Sequence, residues 1–195
     1  MSQKFLRRGP AAAFFLTIGL TLAPALFAAE PQFLPNFQKI NEHVYRGGQP
    51  ASEGFKELAR LGVRTLIDLR TSGEHSQAEE EQLVKASGMR YVNVPLRGMS
   101  APTNEQISKV LAFLDDSSAW PVFVHCRRGA DRTGTVVACY RIVHDHWQNQ
   151  KALNEAKKYG MSWLERGMQH YVLRYQPDVT NASLPSTTAA PAVAQ

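Results

Sequence analysis

Cysteine is scarce in this 195-residue chain, which has only Cys126 and Cys139. Two thiols with no surrounding histidine–cysteine cluster exclude a structural zinc site. Cys139 lies 13 residues on, inside a predicted helix, too far from Cys126 to bridge without distortion. Concentrated positive charge is also missing. The formal net charge is +5, and the first 29 residues carry Lys4, Arg7 and Arg8 with no acid, so the remainder stands near 5 − 3, about +2. No Lys/Arg-rich tract remains to hold a polyanion, which excludes nucleic acid as a partner. The long apolar run is confined to the N-terminus, and no internal repeat is visible.

Both ends stand apart from the fold. "MSQKFLRR" is basic, and "AAAFFLTIGLTLAPALFAA" behind it is apolar and ends in small residues. This order is that of a secretory signal peptide over residues 1–29, cleaved after Ala28 or Ala29. Arg7-Arg8 leaves a twin-arginine address open, and an uncleaved anchor is the alternative. Pro24 near the end of the apolar run argues against a lasting membrane span. An exported protein, periplasmic or secreted, is expected. Residues 176–195, "QPDVTNASLPSTTAAPAVAQ", are small, nearly uncharged and Pro/Ser/Thr/Ala-rich, and read as a disordered tail. Asn181-Ala182-Ser183 in it is a glycosylation acceptor in form only. The folded body is expected over 33–175, as one monomeric domain.

Within the body, short apolar runs alternate with helical patterns. Strands are predicted at 44–46, 63–70, 89–96 and 120–126. Helices are predicted from Ser52 as N-cap to a stop at Gly62, and over 74–88, 103–116, 132–147, 149–158 and 162–175. In the third helix Ile107, Val110, Leu111 and Leu114 share one face; in the next, Val136, Val137, Tyr140 and Val143 do. Such alternation indicates an α/β fold, a central mostly parallel sheet flanked by helices on both faces. Ligands in such sheets sit beyond the carboxyl ends of the strands.

At one such end lies "VHCRRGADRTG", residues 124–134. Cys126 closes a strand, and Arg132-Thr133 opens a helix. A loop wrapped between strand and helix can aim backbone N–H groups at one point, where the helix dipole also favours an anion. Gly129 and Gly134 permit tight turns and close approach. Arg132 supplies a planar fork matched to paired phosphate oxygens. The field that binds phosphate also stabilises a thiolate on Cys126. The chemistry suggested is attack of that thiolate on phosphorus, then hydrolysis of the phosphocysteine. Thr133 can stabilise the thiolate as it leaves. His125 is expected to orient the loop rather than act as a base.

"HCRRGADRTG" resembles the signature of the cysteine-dependent protein tyrosine phosphatases, dual-specificity branch: a His-Cys pair, five residues, then Arg-Thr-Gly. The likeness runs over about 37–172, and "VYRGGQPASEGFKELARLGVRTLIDLR" is similar to bacterial members and to phosphatase-like domains fused to some NAD kinases. The resemblance implies a dual-specificity phosphatase-like fold, a phosphate-monoester hydrolase that needs no metal or other cofactor, and a phosphorylated protein or small phosphorylated substrate. It implies Cys126 as nucleophile, Arg132 as clamp, and a substrate cradle of Arg127, Arg128, Gly129, Ala130, Thr133 and Gly134. Arg127 and Arg128 leave inositol phosphates or phosphoinositides open as substrates. A phosphate-binding module without turnover is the other alternative.

One departure matters. Many relatives carry an aspartate general acid about 30 residues before the cysteine, but "PLRGMSAPTNEQ" has none. Either Asp131 protonates the leaving group, as in some lipid-phosphate relatives, or Glu105 does, or water alone. Asp131 has a loop-shaping alternative beside Arg127, Arg128 and Arg132, and Glu105 one in a capping box with Thr103. Arg46 and Gln49 either line the rim or merely turn the chain, and Asp68 with Arg70 reads as an ion pair more readily than as a substrate contact. Asp115 and Asp116 read as a solvated turn, His144 and His146 as a helix end, and Trp120, Trp147 and Trp163 as anchors.

Overall fold

The computed structural model of the protein describes residues 32–177. The signal-peptide reading of 1–29 and all but the first two residues of the tail lie outside that span. Among the described residues, five strands form one sheet in the order β1-β2-β5-β3-β4. They are β1 (Gln38–Lys39), β2 (Val44–Gly47), β3 (Thr65–Asp68), β4 (Arg90–Asn93) and β5 (Val122–His125). Only the short β1 runs antiparallel, on β2; the other pairings are parallel. The helices are α1 (Ser52–Arg60), α2 (Gln77–Ala86), α3 (Asn104–Asp115), α4 (Asp131–His144), α5 (Asn149–Lys158) and α6 (Arg166–Arg174).

Successive strand residues point to opposite sheet faces, and both faces are covered. Val44, Ile67, Val122 and Val124 pack with the buried sides of α3, α4 and α5 in the larger core. Tyr45, Leu66 and Phe123 turn the other way, onto Phe55 and Leu58 of α1 and Val84 of α2. The central strands are therefore buried along their whole length, while β4, paired only with β3, is a more exposed edge. Leu66 and Phe123 are fully buried, and truncating either to alanine would cost about 2–5 kcal/mol.

Several boundaries differ from the sequence reading. Ala51, not Ser52, is the N-cap of α1, because its N–H is tied to Phe33 O at 3.0 Å and the chain turns one residue earlier. The helix expected over 74–88 starts only at Gln77, behind Ser76 as cap; residues 72–74 form a 3₁₀ turn closed by a reciprocal box between Thr71 and Glu74. Thr103 does cap α3, but its partner is Gln106 rather than Glu105, since the helix begins at Asn104 and Gln106 occupies the third position. β1 carried no sequence signal. Residues 162–165, expected within the last helix, form the loop that enters α6.

Candidate active site

β5 lies centrally, between β2 and β3, and ends at His125. Cys126 follows, then four loop residues, then the first turn of α4 at Asp131. The loop's carbonyls are held outward. Arg127 O accepts from the Gln49 N–H at 3.2 Å. Asn36 Nδ2 donates to Arg128 O at 3.3 Å and to Gly129 O at 3.1 Å, and Arg46 Nη2 donates to Gly129 O at 2.5 Å. In a planar trans peptide the N–H points opposite to the C=O. The amides of Arg128, Gly129 and Ala130 are thereby turned to the concave side, and none of them donates to another protein group among the described residues. Such inward amides at a helix N-terminus have the geometry that can hold an anion.

Gly129 is indispensable to this shape. Its φ is +68°, and a Cβ there would meet Gly47 C at 2.3 Å and Gly48 N at 2.4 Å. The Arg46-Gly47-Gly48 turn is thus the floor of the loop. Of the two readings of Arg46, rim or turn, the turn holds, and its side chain is fully buried beneath the loop. Burial lowers its affinity for a proton to a pKa of about 10, against which Glu155, Cys126 and Tyr159 act, so it stays charged. Its guanidinium lies 4.8 Å from the Tyr159 ring centre, and its Nε and Nη1 have no hydrogen-bond partner among the described residues. Gln49 contributes through its backbone.

Arg132, in the first turn of α4, is clamped by a residue the sequence reading passed over. Its Nη1 and Nη2 donate to Glu74 Oε1 and Oε2 at 2.6 and 2.8 Å, and Nη1 also donates to Leu96 O at 3.3 Å. The Arg132 hydrogen bonds, with those of Thr71 and against partial burial, pull the Glu74 carboxyl down to a pKa of about 2. Burial opposes the charge on Arg132, but Glu74 and Cys126 outweigh it and raise its pKa. The guanidinium also hydrogen-bonds the Cys126 side chain, and its Nε–H and second Nη2–H, not taken by Glu74 or Leu96, have the side-on fork geometry suited to two oxygens of one phosphate. Only the Thr71–Glu74 spacing hinted at Glu74's place.

The other loop residues divide by environment. Cys126 is buried, as is Thr133, whose hydroxyl has no partner among the described residues. Arg127 and Arg128 are exposed, while Gly129, Ala130 and Gly134 are buried. Asp131 is engaged through both oxygens: Oδ2 accepts from Arg128 Nη2 at 2.5 Å, and Oδ1 from the Ser162 N–H at 2.8 Å. Glu105 is exposed at the start of α3.

His125 is fully buried, which pulls its pKa down to about 4 against the influence of Asp68 and keeps it neutral. Its Nε2 lies 3.1 Å from Glu80 Oε1, too poorly aligned to bond. Behind it Arg70 bridges Asp68, at 2.9 Å, and Glu80, so the expected Asp68–Arg70 ion pair is present, extended by His75, Glu80 and Tyr91. Asp68, His75 and Glu80 bring ligand atoms within 4.8 Å of one another. The Arg70 guanidinium already supplies the positive charge there, and this set does not fit a cation well.

Elsewhere, Asp116 closes a turn onto Ser118, Trp120 Nε1 donates to Leu114 O, and His144 pairs with Asp145. Cys126 and Cys139 are unbridged. Beside the cradle, Met99, Trp163 and Leu164 are exposed by 66, 71 and 52%. Between the 71–77 and 95–106 segments a groove of about 570 Å³ is lined by the cationic Arg97 and by neutral groups such as Asn93 and Ser100, without a carboxylate.

Residues 31–172 match the family described as DSP-PTPase phosphatase fused to NAD+ kinase. The inositol diphosphatase DSP5 of Arabidopsis thaliana is 28% identical over 140 residues, covering 69% of this chain and 67% of that protein. The chain spans about two thirds of the length of such plant relatives. The crystal structure of P. aeruginosa TpbA superposes with a TM-score of 0.60 at 26% identity, covering 71% of this chain and 83% of that one. The catalytic core of the S. cerevisiae PP-IP phosphatase SIW14 shares the fold, with a TM-score of 0.64 at 22% identity over 73% and 87% of the two chains.

Proposed function

The chain belongs to the family of DSP-PTPase phosphatases fused to NAD+ kinase, and from that premise we propose that it hydrolyses phosphate monoesters through a phosphocysteine, as a tyrosine- or dual-specificity protein phosphatase. The observation that carries this is the loop whose carbonyls are tied outward by Asn36, Arg46 and Gln49. Its inward amides, Cys126 and the Arg132 guanidinium, which reaches Cys126, then address one anion. Cys126 Sγ bonds to phosphorus as the ester P–O bond breaks and the leaving oxygen takes a proton. Water then attacks phosphorus, the P–S bond breaks, and phosphate and the thiolate are released. The amides and Arg132 act on the equatorial oxygens, where negative charge is concentrated in both steps. Thr133 Oγ1, buried and unpartnered, is available to the departing thiolate.

A protein substrate is supported by the apolar side chains at the mouth. Met99 and Trp163 are carried by segments bonded to the site through Glu165 and through Ser162–Asp131. An aromatic ring or apolar peptide side chain would cover such surface, whereas a bare polyphosphate would not. A second reading, an inositol-phosphate phosphatase, is favoured by exposed Arg127 and by the carboxylate-free groove bearing Arg97. TpbA is called a dual specificity protein phosphatase and DSP5 an inositol diphosphatase.

The deciding experiment is a panel of phosphotyrosine and phosphothreonine peptides, inositol phosphates and a small aryl phosphate, on wild type and Cys126→Ser. Peptide turnover that the serine variant lacks, with vanadate still bound, is expected. No hydrolysis of the aryl phosphate, or full activity without the thiol, would overturn the reading. We further propose that the protein acts outside the cytoplasm, on the strength of the residue pattern over 1–29.

A further inference from the structure

We propose that Glu165 is the general acid that protonates the leaving group, an assignment that rests on the phosphatase reading above. The 97–101 loop, where relatives carry an aspartate, has no acid here. It still holds a carboxylate: the Met99 N–H donates to Glu165 Oε2 at 3.0 Å. Met99 has a φ of +59°, a left-handed backbone that is uncommon for a side chain of this kind. The loop that should supply the acid instead positions one delivered from the chain entering α6.

That delivery is fixed by two further bonds. The Ser162 N–H is bound to Asp131 Oδ1 at 2.8 Å, and the Glu165 N–H donates to Ser162 O at 3.2 Å. Glu165 is therefore linked through Ser162 to the start of α4, close enough to feel Asp131, Arg132 and Arg128. It is 7% exposed. Burial, and next the charge of Asp131, raise its hold on a proton, opposed by the Met99 N–H and the two arginines. A carboxyl whose hold on its proton is raised in this way is better suited to give that proton to a leaving group.

The rival acids are otherwise occupied. Both Asp131 oxygens accept bonds that shape the loop. Glu74 is held ionised by Arg132. Glu105 stands exposed on the first turn of α3. In the proposed step the Glu165 carboxyl gives its proton to the leaving oxygen as the P–O bond breaks. In the second step the carboxylate takes a proton from the water that attacks phosphocysteine, which restores both groups.

The test is kcat/KM across aryl phosphates of falling leaving-group acidity and one alkyl phosphate, for wild type, Glu165→Gln, Glu165→Asp, Asp131→Asn and Glu105→Gln. A general acid contributes ~10²–10⁴-fold, so Glu165→Gln should lose about that factor on phenyl and alkyl phosphates. It should lose little on a dinitrophenyl phosphate, and vanadate binding should persist. Glu165→Asp should keep the wild-type pattern at reduced rate, and Glu105→Gln should be silent. An equal loss across all leaving groups in Glu165→Gln, or a leaving-group-dependent loss in Asp131→Asn instead, would overturn the assignment. Absence of any wild-type hydrolysis would count against the phosphatase reading itself and remove this assignment with it.

Discussion

Glu74 of the 3₁₀ turn and Arg132 of α4 meet end-on, carboxylate to guanidinium, at 2.6 and 2.8 Å across 58 positions of sequence. The pair spends one edge of the guanidinium on protein and leaves the other for a ligand. It also ties the segment after β3 to the helix after β5.

Glu74→Gln tests that pair and its pH dependence. The folded pKa of Glu74, about 2, lies below the ordinary glutamate value of about 4.3. Its stabilisation is therefore complete above the ordinary value and is lost as pH falls toward the folded one. Melting temperatures of wild type and Glu74→Gln should differ at pH 7 and converge between about pH 5 and pH 2. At neutral pH the variant should also lose ~10²-fold in kcat/KM as the fork loses its aim. A constant melting gap from pH 7 to pH 2 would refute the first half.

Arg46 should matter more to activity than to stability. Arg46→Met removes the bond to Gly129 O, a charge-assisted bond of about 1.5–3 kcal/mol. It also removes a buried guanidinium with two unpartnered nitrogens, a cost that offsets the loss. Denaturant midpoints should shift little, while aryl phosphate turnover falls at least ~10-fold because the cradle loses both a strut and a positive charge near Cys126. A large stability loss with normal specific activity would contradict this.

The two cysteines should react differently. Cys139 is buried within α4, and burial drives its thiol far above the ordinary range. Iodoacetate, an anion, should be drawn into the cradle and label Cys126 alone in the native protein. Inorganic phosphate should slow that labelling, and Arg132→Lys should weaken the protection because a point charge cannot replace the fork. Peptide mapping after alkylation reads both outcomes; equal labelling of Cys139 would defeat the prediction.

Export makes a separate prediction. The mature chain should begin at Ala29 or Glu30 and be recovered outside the cytoplasm. Fractionation with N-terminal sequencing decides it, and a cytoplasmic chain starting at Met1 would refute it.

What the sequence determined by itself was whatever depends on neighbours along the chain. Alternating apolar runs and helical faces specified a parallel sheet covered on both sides, because side-chain direction follows backbone period. The span from His125 to Gly134 marked the loop proposed to hold the anion, since strand end, glycine, arginine and helix start lie within a few residues. Tertiary structure decided what joins distant segments. Glu74 came to Arg132, Asn36 and Arg46 came to the loop carbonyls, and Met99 came to Glu165, each across a gap that no local pattern spans. A buried carbonyl or carboxylate must find its donor wherever the fold brings one, and that partner has no fixed spacing in sequence. Arg46, left open in the sequence between rim and turn, therefore proved to be the floor of the loop, and Asp131, a candidate acid in the sequence, has both oxygens bound in the fold.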